Sequence, residues 1–119
     1  MGYVRVRGVV ANVSDRNLRV ELEFIVDTGA IYTVIPKSVA ERLRLKETGR
    51  RKFKMVNGDV VEYPISEAYI TINGEGVTSV VAIADEKTPL LLGVTTLELL
   101  GLQVDPVTGK LTPLELMIL

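Results

Sequence analysis

The chain contains neither histidine nor cysteine, so any proton transfer it performs near neutral or acidic pH falls to carboxylates. The same absences exclude Ser-His-Asp and Cys-His nucleophiles, His- or Cys-ligated metals and disulfide frameworks. Fifteen Asp and Glu residues remain. Most alternate with apolar residues, as do Glu21, Glu23 and Glu62, or stand among turn formers, as do Asp15, Asp59 and Asp105; both settings leave a carboxylate in water. Asp27 differs. It follows Phe24-Ile25-Val26 and precedes Thr28-Gly29-Ala30, so its carboxylate stands at the edge of a core. Taken alone, Asp-Thr-Gly fits a turn aspartate that accepts backbone N–H bonds as well as it fits a reactive acid.

The surroundings are more specific. Phe24 to Ala30, then Thr33-Val34-Ile35, a hairpin signal at Met55-Val56-Asn57-Gly58-Asp59-Val60, and Leu91-Leu92-Gly93 before a helical pattern follow in that order. From about Val20 to Leu111 the chain resembles the retropepsin-like aspartic proteases, the cellular and microbial type more than the retroviral. The resemblance implies a mainly β fold: a closed barrel with one or two short helices and a flap hairpin. It also implies a homodimer in which each copy gives one catalytic aspartate, here Asp27, and no cofactor. Two carboxylates about 4 Å apart repel by roughly 4 kcal/mol at an effective dielectric of 20, so they share one proton, as aspartic-protease dyads do. One group then activates water while the other polarises the carbonyl and protonates the leaving nitrogen. A chain with a single Asp-Thr-Gly is too short for two lobes, hence two copies across a two-fold axis.

The resemblance assigns roles to the neighbours. Thr28 bonds its counterpart across the axis, Gly29 gives a tight turn with room for substrate and water, Ala30 continues the loop, Thr33 bonds beneath it, and Gly93 permits close packing under it. Met55, Val56, Asn57, Gly58 and Asp59 form the flap over an extended polypeptide substrate, with Ile31, Val56 and Leu91 as apolar pocket walls. Each has a plainer reading: turn threonine, buried strand threonine, helix-start glycine, exposed hairpin. Where retroviral members carry acidic residues after the loop and an arginine after the later glycine, this chain has Ile31, Tyr32 and Val94. Losing both partners of an ion pair strands no charge. The apolar tail, Leu116, Met117, Ile118 and Leu119, is expected to pair near the partner's terminus.

These residues need elements to hold them. Alternation over Tyr3–Arg7 and Leu18–Phe24 predicts two paired strands joined through Asn12–Asn17. Tyr32–Ile35 reads as a strand ending at Pro36, and Ser38-Val39-Ala40-Glu41 as a capping box opening a helix over Val39–Leu43. Asn57-Gly58 joins Phe53–Val56 to Val60–Tyr63, and Asn73–Gly76 joins Tyr69–Ile72 to Val77–Ile83. Thr95-Thr96-Leu97-Glu98 predicts a second helix, capped by Thr95 and ended by Gly101. A last hairpin turns at Asp105–Gly109 between Leu102–Val104 and Lys110–Thr112.

With 119 residues and 47% apolar composition the chain reads as one domain, 1–119, with a real core. Net charge −1 gives no field for a polyanion, so nucleic acid is not expected as a partner. No uncharged run approaches the roughly 20 residues of a membrane span, and arginines interrupt the N-terminal apolar residues; no membrane partner and a cytoplasmic location are expected. Gly109-Lys110 lacks the upstream glycine of a phosphate loop, and Gly74-Glu75-Gly76 lies in a hairpin. The basic run Arg42, Arg44, Lys46, Arg50, Arg51, Lys52 and Lys54 reads as a solvated helix end or as a patch for an anionic partner. From another functional class comes one competitor to the protease: a non-catalytic barrel dimer that binds peptides or partner proteins.

Overall fold

The computed structural model describes residues 3–118; Leu119 of the expected pairing tail lies outside them. β1 (Arg5–Ala11) and β2 (Arg19–Asp27) pair antiparallel from Arg5↔Ile25 to Ala11↔Arg19. Their alternation turns Phe24 and Val10 inward, fully buried, and leaves Arg7–Glu21 and Arg5–Glu23 as ion pairs at 2.7 and 3.5 Å outside. β3 (Thr33–Pro36) runs parallel to β6 (Glu75–Ala84), and β7 (Leu91–Gly93) runs parallel to β2. The long β5 (Val60–Ile72) pairs in turn with β4 (Gly49–Lys54), β6 and β1. The ring β1-β2-β7-β3-β6-β5 therefore closes on itself through β1–β5, a six-stranded barrel with β4 as an overhanging edge. Closure leaves β4 as the edge strand of this sheet.

The barrel is filled by Phe24, Ile35, Ile70, Ile72, Val81, Leu92 and Leu97, all essentially without exposure, each contributing roughly 1.5–3 kcal/mol of burial. α1 (Lys37–Arg42) packs against β3 and β6, α2 (Val94–Leu100) against β6, β7 and β3, and β8 (Leu102–Val104) with β9 (Leu111–Pro113) forms a separate small sheet. Among the described residues no helix is long and apolar enough to cross a membrane.

Several local expectations are corrected. Val60–Tyr63 and Tyr69–Ile72 are one strand, bending from β4 to β6 at Pro64-Ile65, where Pro64 faces Arg50 and Ile65 faces both Gly49 and Ala82. The basic run is a helix end only at its start, where Arg42 closes α1 and Arg44 follows the C-cap Leu43; Arg50, Arg51, Lys52 and Lys54 lie in β4, drawn into extension by pairing with β5. Ser38 does not cap a box with Glu41. It sits in the first turn of α1, which begins after Pro36, and its N–H and hydroxyl both donate to Glu86 at 2.9 and 2.6 Å. Thr95 does not cap α2, which starts one residue earlier behind Gly93, although Gly101 ends it in the left-handed region at φ 69°. The two Asn-Gly pairs also differ. Asn73 and Gly74, both at positive φ, make the two-residue turn, whereas Asn57-Gly58 closes a three-residue loop in which Gly58 takes φ 92°.

Candidate active site

Asp27 is the last residue of β2, aligned with Gly93 of β7. One carboxylate oxygen, Oδ1, accepts the Gly29 N–H at 2.9 Å, and the Asp27 carbonyl accepts the Ala30 N–H at 3.1 Å. This turn holds the half-buried side chain through a single oxygen, leaving Oδ2 outside that bond. Thr28 and Gly29 at its apex are exposed. Beneath it, a side chain on Gly93 would place Cβ 2.5 Å from the Tyr32 carbonyl carbon and oxygen, so only glycine lets β7 approach this closely.

The loop after Asp27 is tied down from two directions. The first amides of α2, which a helix leaves without internal partners, donate outward: Val94 N–H to Ala30 O at 2.8 Å and Thr95 N–H to Ile31 O at 3.2 Å. From the other side comes a string of buried hydroxyls. Thr33 Oγ1 accepts the Gly93 N–H at 2.9 Å and lies 2.6 Å from Thr96 Oγ1, which lies 2.8 Å from Ser79 Oγ. The Ser79 hydroxyl donates to the Val80 carbonyl at 3.2 Å. Its proton being used there, Thr96 must donate to Ser79 and Thr33 to Thr96, which leaves a Thr33 lone pair for Gly93. All three side chains are buried and no buried side-chain polar atom among the described residues lacks a partner. Sequence reasoning found Thr33 but not Ser79, nor the role of Thr96; a lone serine within Val77–Val81 was the available signal.

Above the loop lies a cleft of about 520 Å³. Asp27, Gly29, Ala30, Ile31 and Leu91 line it from the barrel, and Met55 and Val56 from the hairpin tip. Val56 is wholly exposed. Thr28, Asn57, Gly58 and Asp59 are not in the lining, and Thr33 and Gly93 sit below it. Asn57 and Asp59 instead brace the tip, the Asn57 amide donating to Asp59 Oδ2 at 3.1 Å and the Asp59 N–H to Asn57 Oδ1 at 2.9 Å. The lining also holds residues the sequence did not single out: Val34 and Ala82, and an aromatic wall in which Phe53 meets Tyr32 edge-on at 5.2 Å and lies 6.0 Å from Tyr63. A second hollow of about 450 Å³ also reaches Asp27 and is lined with it by Tyr3, Ile25, Val26, Pro89 and Leu91.

The loop between β6 and β7 is held by two carboxylates. Partial desolvation pushes the Asp85 carboxyl up, but donors from the Lys87 N–H, the Thr88 hydroxyl and N–H and the Tyr63 hydroxyl together bring it below its ordinary value. Glu86 is lowered by the Ser38 hydroxyl and N–H, against some desolvation and the charge of Asp85. Among the described residues no three carboxylates gather as a metal site.

Residues 9–99 match the model of the family described as "gag-polyprotein putative aspartyl protease". Among solved structures the fold is similar to that of EIAV protease complexed with the inhibitor HBY-793, with a TM-score of 0.65 and 20% sequence identity over 82% of this chain and 86% of that one. At that identity the likeness is one of fold. No curated protein sequence matches significantly.

Proposed function

Since the chain belongs to the retropepsin-like aspartyl protease family, as the match over residues 9–99 shows, we propose that it is an aspartic endopeptidase whose site is completed by a second copy. One observation carries this reading: the single loop carboxylate, Asp27, stands at the rim of an apolar cleft roofed by a hairpin, on a loop pinned by α2 and the hydroxyl string. A carboxylate so mounted is half of a dyad. In the dimer the ionised Asp27 takes a proton from water as the oxygen attacks the peptide carbonyl, and the protonated Asp27 of the other copy donates to the carbonyl oxygen. Collapse of the tetrahedral species then delivers a proton to the leaving nitrogen. In that dimer the exposed Thr28 would bond its counterpart, and the cleft walls suit an extended polypeptide with apolar side chains at the cleaved bond.

The competing reading, a peptide-binding barrel that cleaves nothing, is favoured by the Asp27 Oδ1 bond to Gly29, a turn that asparagine would make equally well. Asp27→Asn separates them. The substitution keeps the turn, so sedimentation should show the same dimer, while pepstatin-sensitive cleavage of an unfolded polypeptide falls by at least a factor of about 10³, as expected when a group essential to the chemistry is removed. A wild-type protein that cleaves no polypeptide, or a variant that cleaves as well as wild type, defeats the protease reading.

A further inference from the structure

The charge in the cleft departs from that of the chain. Fourteen Lys and Arg against fifteen Asp and Glu leave the whole near neutrality, yet apart from Asp27 the ionic residues lining the cleft are all cations: Arg51, Lys52 and Lys54. All come from β4, the edge strand of the seven-stranded sheet. The half-buried Phe53 packs against Tyr32 and so marks the inward face of β4; Arg51, two residues away, shares that face by strand alternation. Arg51 uses one Nη1–H on the Arg50 carbonyl at 2.8 Å. Among the described residues no carboxylate lies within 4.0 Å of Arg51, Lys52 or Lys54. The nearby acids are engaged elsewhere: Glu62 with Arg50 at 2.7 Å, Asp59 with Asn57, and Asp85 with Lys87, Thr88 and Tyr63.

We propose that the cleft selects polypeptides carrying Asp or Glu at residues flanking the apolar side chains of the cleaved bond, with Arg51 as the principal contact and Lys52 and Lys54 adding to the field. The inference rests on the reading of this cleft as the proteolytic site. The acid belongs on the flank because the walls next to Asp27 are Ala30, Ile31 and Leu91, which would bury a carboxylate without a partner. Arg51 stands four residues from Met55 at the tip, about 13 Å along the strand, or roughly four residues of extended peptide. A guanidinium presents a planar fork that matches a carboxylate. In a two-fold dimer each half of the cleft carries its own set.

The test uses peptides with one apolar core and flanking Glu, Gln or Lys, assayed at pH 5.5 for hydrolysis by wild type and for binding to Asp27→Asn by fluorescence anisotropy. The Glu peptide should exceed the Lys peptide by roughly two- to tenfold in kcat/KM, carried mainly by KM, and the ratio should shrink towards one at 0.5 M NaCl. Arg51→Glu should reverse the order and Arg51→Gln flatten it. Equal hydrolysis of the Glu and Lys peptides overturns the charge selection and leaves proteolysis standing. Absence of hydrolysis with retained preference for the Glu peptide in binding overturns proteolysis and leaves the selection, and absence of preference in both assays overturns the selection.

Discussion

Asp27 draws its position from residues that never touch substrate. Its backbone partner Gly93 hangs from Thr33, Thr33 from Thr96, and Thr96 from Ser79. In a buried string with a fixed direction, removing one member strands its neighbour's proton at a cost of about 1–3 kcal/mol. Thr96→Val, nearly equal in volume, leaves the Thr33 hydroxyl without an acceptor and should destabilise the fold by about that amount in urea titrations. It should also lower kcat more than it raises KM, because the loop rather than the cleft wall is loosened. Unchanged stability together with unchanged kcat would show that the string does not position the loop. The Asp-Thr-Gly turn was legible in the sequence because its bonds are local, Asp27 to Gly29 and Ala30. The hydroxyl string was not, since Thr33 and Thr96 are 63 residues apart and nothing in either neighbourhood announces the other.

Between elements, the loop joining β6 to β7 couples α1 to the cleft. Glu86 takes both donors of Ser38 at the start of α1, Asp85 gathers Lys87, Thr88 and Tyr63, and Thr88 and Tyr63 line the cleft. Both carboxyls are lowered on folding. A group with a depressed folded-state value stabilises fully above its unfolded value and loses that stabilisation as pH falls through the folded one. The anchoring by Glu86 is therefore complete above its ordinary value of 4.5 and that by Asp85 above 3.8, and each fades as pH falls below its own value. Glu86→Gln should lower Tm relative to wild type at pH 6, and the gap should narrow as pH falls below 4.5 and Glu86 takes up its proton; a gap that stays constant through that fall would assign the anchoring to shape rather than charge. This coupling was hidden in the sequence, where Ser38 and Glu41 at capping-box spacing pointed to each other. Most strands followed from alternation and the closed barrel from the family resemblance, but the first part of β4 did not, because Arg50, Arg51 and Lys52 carry no period of their own and take their extension from β5.

The molecule as a whole is a barrel whose core is complete within one chain and whose site, in the proposed function, is half of one. Phe24, Ile35, Ile70, Leu92 and their neighbours bury one another without help from the tail. Beyond β9 the chain gives one backbone bond, Leu114 N–H to Gly101 O at 2.7 Å, and then leaves Leu116, Met117 and Ile118 at 57, 88 and 99% exposure. Three consecutive exposed apolar residues are what a covering partner would bury, and in the proposed dimer a two-fold pairing of tails would cover both copies with the same residues. Truncation after Leu114 should leave the circular dichroism of the barrel intact, convert the sedimenting species to monomer, and abolish cleavage, since one Asp27 cannot be ionised and protonated at once. Dilution of the intact protein should have the same consequence by mass action, specific activity falling as protomer concentration drops below the dimer dissociation constant. A truncated monomer that cleaves as well as the full chain would mean that the proton donor opposite Asp27 lies within one copy, and among the described residues no second carboxylate lines the cleft to supply it.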